Sequence, residues 1–171
     1  MSKKKNKEEL CSIILLDTSI LLNLLEIPDR CQEKDAVQRE FENYPEEVNR
    51  FILPFSTIWE TGNFIAHIKT GKDVRKKYAL LFCELVKDAM TGKAPFRVVD
   101  PPKNEDVLEW LTTFPEAAGS DKSPKKQTEG ISWGDHSIIQ TFEKLKKKMK
   151  MTSIKIWSID RDLNHFQYIP N

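Results

Sequence analysis

Short apolar runs alternate along the chain with longer segments in which apolar residues recur at helical spacing. The first run, at residues 12–17, precedes a segment that places Ile20, Leu21, Leu24 and Leu25 on one helical face. This alternation of strands with amphipathic helices is typical of βαβ units, in which helices cover a parallel sheet. The pattern therefore predicts an α/β fold with a mostly parallel central sheet of four to five strands.

Apolar periodicity, together with proline and glycine, gives the approximate bounds of the elements. We predict strands at residues 12–17, 50–55, 96–99, 155–159 and 166–169, and later helices at residues 34–44, 58–69, 73–89, 104–113 and 134–149. Residues 114–130 are polar and rich in helix breakers, which predicts an inserted mobile loop. No repeat or linker divides the chain, so we predict one domain over residues 1–171 with a basic flexible tail at residues 1–10.

The composition bears on the partners, the cysteine chemistry and the location of the protein. Lys and Arg number 27 against 26 Asp and Glu, so bulk charge favours no partner, and contact with nucleic acid would need local basic patches. Three widely spaced cysteines argue against a disulfide framework or a zinc knuckle and fit a reduced, cytoplasmic protein. No apolar stretch is long enough to span a bilayer, so we expect no membrane association.

Four acidic residues lie where a parallel sheet would gather them at one edge. Asp17 and Asp160 each follow a predicted strand, and Glu60 and Asp135 each fall in the first turn of a predicted helix. Strand carboxyl ends and the amino ends of crossover helices share one edge of an open sheet, where ligands bind. If the strands before Asp17 and Asp160 are neighbours, these four residues form one group, which we call the acid cluster.

The acid cluster predicts a bound cation, because clustered carboxylates repel one another. Mg²⁺ and Mn²⁺ prefer carboxylate and water oxygens, lower the pKa of a bound water and offset charge on phosphate oxygens. We therefore interpret the four acids as catalytic metal ligands of a phosphodiester hydrolase that attacks with a metal-activated water. Asn63, one turn after Glu60, could orient that water or make an ordinary polar contact. Removal of one charge, as in Asp17→Asn, is expected to stabilise the metal-free protein.

Each acid also has a purely structural interpretation. Thr57 to Glu60 and Ser132 to Asp135 have the form of capping boxes, and capping is the more frequent role of either acid taken singly. Asp17 could be the N-cap of the following helix and Asp160 a turn residue. These interpretations do not explain why all four acids fall on the same edge of the sheet.

Several other features keep two interpretations open. Lys122, Lys125 and Lys126 could contact substrate, although nothing else in the sequence supports that role. The lysines of residues 144–150 are more typical of a solvated helix end than of an RNA-binding patch. The tryptophans near the acids could stack on bases, but packing is their commoner role; they are Trp59, Trp133 and Trp157. No phosphate-binding glycine motif is present, which argues against a nucleotide-binding α/β protein.

Four segments of the chain together resemble the PIN domains. They are LLDTSILLNLL, LPFSTIWETGNFI, GISWGDHSIIQ and IWSIDRDLNHF, and they extend from about residue 13 to residue 169. The resemblance implies a three-layer α/β/α sandwich with an acidic metal site at Asp17, Glu60, Asp135 and Asp160. It also implies that Asp162 is a further metal ligand and that Ser19 lines the site.

The resemblance further implies an activity and partners. Many PIN domains are endoribonucleases that use Mg²⁺ or Mn²⁺ and act as the toxin of a toxin–antitoxin module. For this chain the resemblance implies an RNA substrate, a small antitoxin protein as partner, a homodimer and a cytoplasmic location. The alternative is a catalytically silent PIN-fold module that binds RNA or another protein.

Overall fold

The computed structural model describes residues 12–45, 48–122, 126 and 128–170. The predicted tail at residues 1–10 lies outside the described residues, as does Lys125. Among the described helices, none is both long and apolar enough to cross a bilayer.

A five-stranded sheet forms the centre of the protein. The strands are β1 Ser12–Leu16, β2 Asn49–Leu53, β3 Phe96–Val98, β4 Ser153–Trp157 and β5 Gln167–Tyr168, in the order β3-β2-β1-β4-β5. All neighbouring strands are parallel except β4 and β5, which are antiparallel. The predicted mostly parallel sheet is therefore confirmed, and β1 and β4 are neighbours as the acid cluster requires.

Helices cover both faces of the sheet. They are α1 Thr18–Leu24, α2 Lys34–Glu42, α3 Phe55–Ala66, α4 Lys72–Thr91, α5 Asn104–Gly119, α6 Trp133–Lys148 and α7 Arg161–Asn164. Alternate residues of β1 point to opposite faces: Ile14 and Leu16 pack with α1, α2 and α4, whereas Ile13 and Leu15 pack with α6 and α7. Burial on both faces is typical of a parallel sheet within three layers, and the predicted α/β/α sandwich is confirmed.

The start of α3 differs from the prediction in a way that matters for Glu60. Helix α3 begins at Phe55, directly after Pro54, so Glu60 lies in its second turn rather than its first. The capping box predicted from Thr57 to Glu60 is wrong, because the buried Thr57 hydroxyl donates to the carbonyl of Leu16 at 2.8 Å. This bond instead joins the start of α3 to the end of β1.

The segment predicted as an inserted loop at residues 114–130 is partly helical. Helix α5 continues through Pro115 and ends at Gly119, six residues beyond the predicted end. Proline lacks an N–H donor, yet the helix continues through it, and the rings of Phe114 and Trp110 pack against Trp133 of α6. The polar part of the segment therefore begins only after Gly119.

Candidate functional site

Asp17 is fixed at the end of β1 by a set of hydroxyl and amide donors. It is the N-cap of α1, as the sequence predicts, and its Oδ2 accepts from the backbone N–H of Ser19 at 3.2 Å. The hydroxyls of Ser19 and Ser158 donate to the same oxygen at 2.6 and 2.7 Å. With 6% of its surface exposed, Asp17 is a buried carboxylate held in one orientation.

Ser158 links the ends of the two central strands. Its hydroxyl donates to Asp17 and accepts the backbone N–H of Asp160 at 2.9 Å, so one oxygen orients both acids. The backbone N–H of Ile159 donates to Ser19 Oγ at 3.1 Å, so a second hydrogen bond joins the segment after β4 to the start of α1. The placement of β1 beside β4 thus brings Asp17 and Asp160 to one edge of the sheet.

Glu60 reaches this edge from α3. Its Oε2 accepts the Thr18 hydroxyl at 2.7 Å, and its carboxylate lies over Gly134, where a Cβ would come within 1.9 Å of Oε1. Burial raises the pKa of Glu60; the bond from Thr18 and the charge of Lys122 oppose this rise, and the charges of Asp17 and Asp135 add to it. These influences place Glu60 in the same electrostatic environment as the other acids.

Asp135 and Asp160 share one ammonium group. Ser132 is the N-cap of α6, and its hydroxyl accepts the N–H of Asp135, which leaves the Asp135 carboxylate free to point elsewhere. Lys122 Nζ lies 2.7 Å from Asp135 Oδ2 and 3.1 Å from Asp160 Oδ2. The cap predicted at Ser132 is therefore present, while the carboxylate of Asp135 is directed into the acid cluster.

Lys126 offsets the negative charge of Asp160 and Asp162. Lys126 Nζ lies 2.9 Å from Asp160 Oδ2 and 3.2 Å from Asp162 Oδ2. Burial disfavours ionisation of Asp160, but bonds from Lys126, from the backbone N–H of Asp162 and from Lys122 outweigh it and lower the pKa of Asp160 to about 2. Asp160 is therefore ionised whenever the protein is near neutral pH.

The structure brings together most of the predicted site residues, with one exception. The four acids meet at one edge of the sheet, with Asp162 beside Asp160 and Ser19 bonded to Asp17. Asn63 is exposed, and within the described residues no hydrogen bond joins its side chain to the acid cluster. The contact at Asn63 that the structure shows is local: its carbonyl oxygen is paired with His67 Nδ1 at 2.7 Å.

The donor set suits a hard divalent cation. Proteins commonly bind Mg²⁺ through one or two carboxylates, with water or substrate oxygens completing the shell. Here two carboxylate oxygens, from Asp135 and Asp160, already lie within 3.1 Å of a single cationic nitrogen. In the described part of the chain, however, no group of three or more acidic, His or Cys side chains is arranged as an ion site. Carboxylate ligands suit Mg²⁺ or Mn²⁺, and the ammonium groups of Lys122 and Lys126 lie between these carboxylates.

Four residues of this site were not assigned to it by sequence reasoning. Thr18 and Ser158 are small hydroxyl residues without a motif of their own, and their role appears only once the strands are paired. Lys122 and Lys126 were considered as substrate contacts, but their pairing with the acid cluster depends on the path of a segment that has no periodic pattern. The sequence signal for these two lysines was the concentration of lysines at residues 122–126, between the helices that carry Glu60 and Asp135.

An aromatic groove of about 380 Å³ lies beside the acid-bearing helices. Its walls include Phe55, Trp59, Trp110 and Trp133. Trp133 packs with the rings of α5, so packing is the role that the structure supports for it, whereas Trp59 is 61% exposed. The third tryptophan, Trp157, is buried in the core.

Comparison with known proteins gives a likeness of fold. No protein-family model and no curated protein matches the chain. Among solved structures, VapC20 of Mycobacterium tuberculosis, described as a toxin that cleaves the sarcin–ricin loop, matches with a TM-score of 0.54 and 17% identity over 88% of this chain and 92% of that one. A structure of FitAB bound to an IR36 DNA fragment matches with a TM-score of 0.48 and 19% identity over 88% and 87% of the two chains.

Proposed function

We propose that this chain, whose fold is that of the PIN-domain toxins, is an endoribonuclease that depends on Mg²⁺ or Mn²⁺. The observation that carries the proposal is the convergence of carboxylates from the ends of β1 and β4 and from α3 and α6, with cationic nitrogens drawn between them. So many buried or half-buried acids at one edge of the sheet require positive charge, and a divalent ion supplies more of it than an ammonium group.

Each part of the acid cluster has a distinct task in this proposal. Asp17, Glu60, Asp135 and Asp160 would hold the cation, with Asp162 as a further ligand. Ser19, Ser158 and Thr18 would fix the orientation of the carboxylates through the hydroxyl bonds described above. A bound divalent cation would supply acidification of a water molecule and stabilisation of charge on the phosphate oxygens.

RNA is the substrate class that we favour. VapC20 is described as a toxin that cleaves the sarcin–ricin loop, and the proposal extends that class of reaction to this chain because of the shared fold together with the acid cluster. The exposed Trp59, next to Glu60 in sequence, offers a ring on which an unpaired base could stack. A small antitoxin protein, a homodimer and a cytoplasmic location belong to the same proposal.

A cleavage assay tests this function directly. Purified protein is incubated with a structured RNA and Mn²⁺, and the same reaction is run with a chelator. We expect metal-dependent cleavage that falls at least about 100-fold in Asp17→Asn, because loss of a ligand should cost no less than loss of its orienting partner.

Asp29→Asn is a matched control for that assay. Asp29 is exposed and has a φ of 62°, a backbone conformation that asparagine also tolerates, so the variant makes the same chemical change away from the acid cluster. Equal cleavage by wild type and Asp17→Asn would remove the proposal.

A second candidate is a PIN-fold module that binds RNA or protein without cleaving it. The observation that favours it is the lysine pair, because Lys122 and Lys126 already compensate part of the acid cluster. A titration with Mg²⁺ or Mn²⁺ separates the candidates. An enzyme should bind the ion and melt at a higher temperature in its presence, whereas a silent module should do neither.

A further inference from the structure

Lys122 places its ammonium group where a cation of the acid cluster would sit. The nitrogen is 2.7 Å from Asp135 and 3.1 Å from Asp160, and both contacts use Oδ2. Lys126 bridges a second pair of carboxylates in the same way, those of Asp160 and Asp162. Asp160 Oδ2 therefore touches two ammonium groups at once, and the two lysines occupy adjoining positions along a row of three carboxylates.

This pairing differs from an ordinary surface ion pair in its burial. The side chains of Lys122 and Asp135 are 14% and 15% exposed, so both charges have lost most of their water. A buried ammonium is tolerated only when it is paired with opposite charge, and Lys122 meets two carboxylates. The contact is thus a specific one, in which the position of the lysine is set by the acids.

Hydrogen bonds also hold the backbone at Lys122 and at Ile131. The N–H of Lys122 donates to the carbonyl of Glu129 at 2.7 Å, and the N–H of Ile131 donates to the carbonyl of Ala117 at 3.2 Å. Gly130 lies so close to the end of α5 that a Cβ would come within 1.9 Å of the Ala118 carbonyl oxygen. These contacts direct the lysine side chain towards the cluster.

An ammonium group and a divalent ion cannot both occupy the space between Asp135 and Asp160. A divalent ion contacts carboxylate oxygens at about 2.0–2.2 Å, and two cations a few ångströms apart repel strongly at a site with little water. Binding of the metal would therefore require Lys122 to withdraw.

We propose that Lys122 and Lys126 are internal competitors of the divalent cation, which must displace them from the acid cluster before the site is loaded. This inference rests on the proposed function, since it assumes that the acid cluster binds a divalent ion. It assigns to these two residues control of metal affinity: they stabilise the metal-free protein and weaken the binding of Mg²⁺ or Mn²⁺ by an amount set by their own pairing with the acids.

Binding of Mn²⁺ to single-site variants gives the first test. Free Mn²⁺ is measured by its electron paramagnetic resonance signal, with no RNA present. We expect Lys122→Met to bind Mn²⁺ about tenfold more tightly than wild type, and the more exposed Lys126→Met to show a smaller gain. Lys144→Met, which removes the same charge from a Lys–Asp pair of equal 2.7 Å length at Asp106, should bind Mn²⁺ as wild type does.

Amine reactivity of the wild-type protein gives the second test and needs no variant. Lysines are acetylated by a limiting amount of an N-hydroxysuccinimide ester with and without saturating Mn²⁺, and each site is quantified by mass spectrometry. We expect Lys122 to react slowly without the ion and several-fold faster with it, whereas Lys144 reacts equally in both conditions.

The outcomes separate the two proposals. If wild type binds Mn²⁺ but the variants bind no more tightly, or if Mn²⁺ leaves the reactivity of Lys122 unchanged, competition by the lysines is wrong and the nuclease proposal stands. If neither wild type nor any variant binds Mn²⁺, both proposals fail. Should Lys122→Met not fold, Lys126→Met and the labelling of wild type decide the question.

Discussion

Gly134 lies directly beneath the carboxylate of Glu60, and a Cβ at residue 134 would stand 1.9 Å from Glu60 Oε1. The absence of a side chain in the first turn of α6 thus allows an acid from α3 to approach the amino end of a neighbouring helix. The obstructed atom is the end of a flexible side chain, so a methyl group here would move the carboxylate and leave the helix in place.

Gly134→Ala should therefore separate function from stability. We expect Mn²⁺ binding and RNA cleavage to fall at least about tenfold, because Glu60 is turned away from the other acids, while the melting temperature changes little. Gly119→Ala is the control, since a Cβ at residue 119 meets nothing within 4 Å. Full activity of Gly134→Ala would show that the position of Glu60 does not matter.

Glu60→Gln should stabilise the metal-free protein near neutral pH. Burial and the charges of Asp17 and Asp135 raise the pKa of Glu60, so its ionised form is less favourable in the folded than in the unfolded chain. A raised carboxyl pKa contributes stability below the unfolded value and loses it as the pH rises through the folded value, and glutamine avoids that loss. Thermal melts at pH 7 should show an increase on the order of 1 °C, whereas the exposed Glu84→Gln should show none.

The hydrogen bonds of Asp17 change the expected effect of Asp17→Asn on stability. Repulsion among the acids, taken from the sequence alone, predicts that Asp17→Asn stabilises the metal-free protein. In the structure Asp17 accepts three hydrogen bonds at one oxygen, and the lysines offset part of the nearby charge. We now expect Asp17→Asn to lower the melting temperature of the metal-free protein, because an amide accepts these bonds less strongly than a carboxylate.

Acid unfolding should depend on the lysine pair. The pKa of Asp160 is lowered to about 2 by Lys126, the Asp162 N–H and Lys122, with Asp135 and Asp162 as the other charges nearby. A lowered carboxyl pKa gives stability that is present above the unfolded value of about 3.9 and is lost as the pH falls towards 2. Lys126→Met should therefore unfold at a higher pH than wild type, within the interval from about pH 4 to pH 2, as followed by circular dichroism. An unchanged acid transition would contradict this coupling.

Ser158→Ala tests the hydroxyl that joins the two central strand ends. The variant removes one bond to the buried Asp17 and leaves the N–H of Asp160 without its partner, which should cost about 1–3 kcal/mol in the free energy of unfolding. Urea unfolding gives this value, with the exposed Ser120→Ala as a control that loses a single bond to Glu116. A cost no greater than that of the control would mean that Ser158 is not needed to hold the site.

The sequence contains enough information to predict the strands of the sheet and the edge of the sheet at which the acids lie. Apolar runs bounded by turn residues place β1 and β4, and the topology of parallel sheets then brings Asp17 and Asp160 to one edge. What required the structure was the pairing of these two strands, which depends on packing across the whole domain. The position of Glu60 within α3 was mispredicted because the local preference of Thr57 to cap a helix is outweighed by its long-range bond to Leu16.

The positions of Lys122 and Lys126 could not be predicted from local sequence patterns. Helix and strand periodicity says nothing about an irregular segment, and here Lys122 and Lys126 contact the acids while Gly130 and Ile131 contact the end of α5. The end of α5 was also mispredicted, because the helix continues through Pro115, next to Phe114, whose ring packs against Trp133 of α6. Both misses concern residues whose conformation is decided by partners distant in sequence.

The placement of β4 beside β1 has a consequence for synthesis of the protein. Asp17 is translated before β4, and Ser158, the residue directly after β4 that orients Asp17, follows it by 141 positions. A growing polypeptide therefore carries Asp17 and Glu60, and later Asp135, without the geometry that joins them until β4 has been made. Whatever chemistry the assembled edge performs, a nascent chain that lacks β4 is expected to be inert, which would delay the onset of any harmful activity until translation has passed that strand.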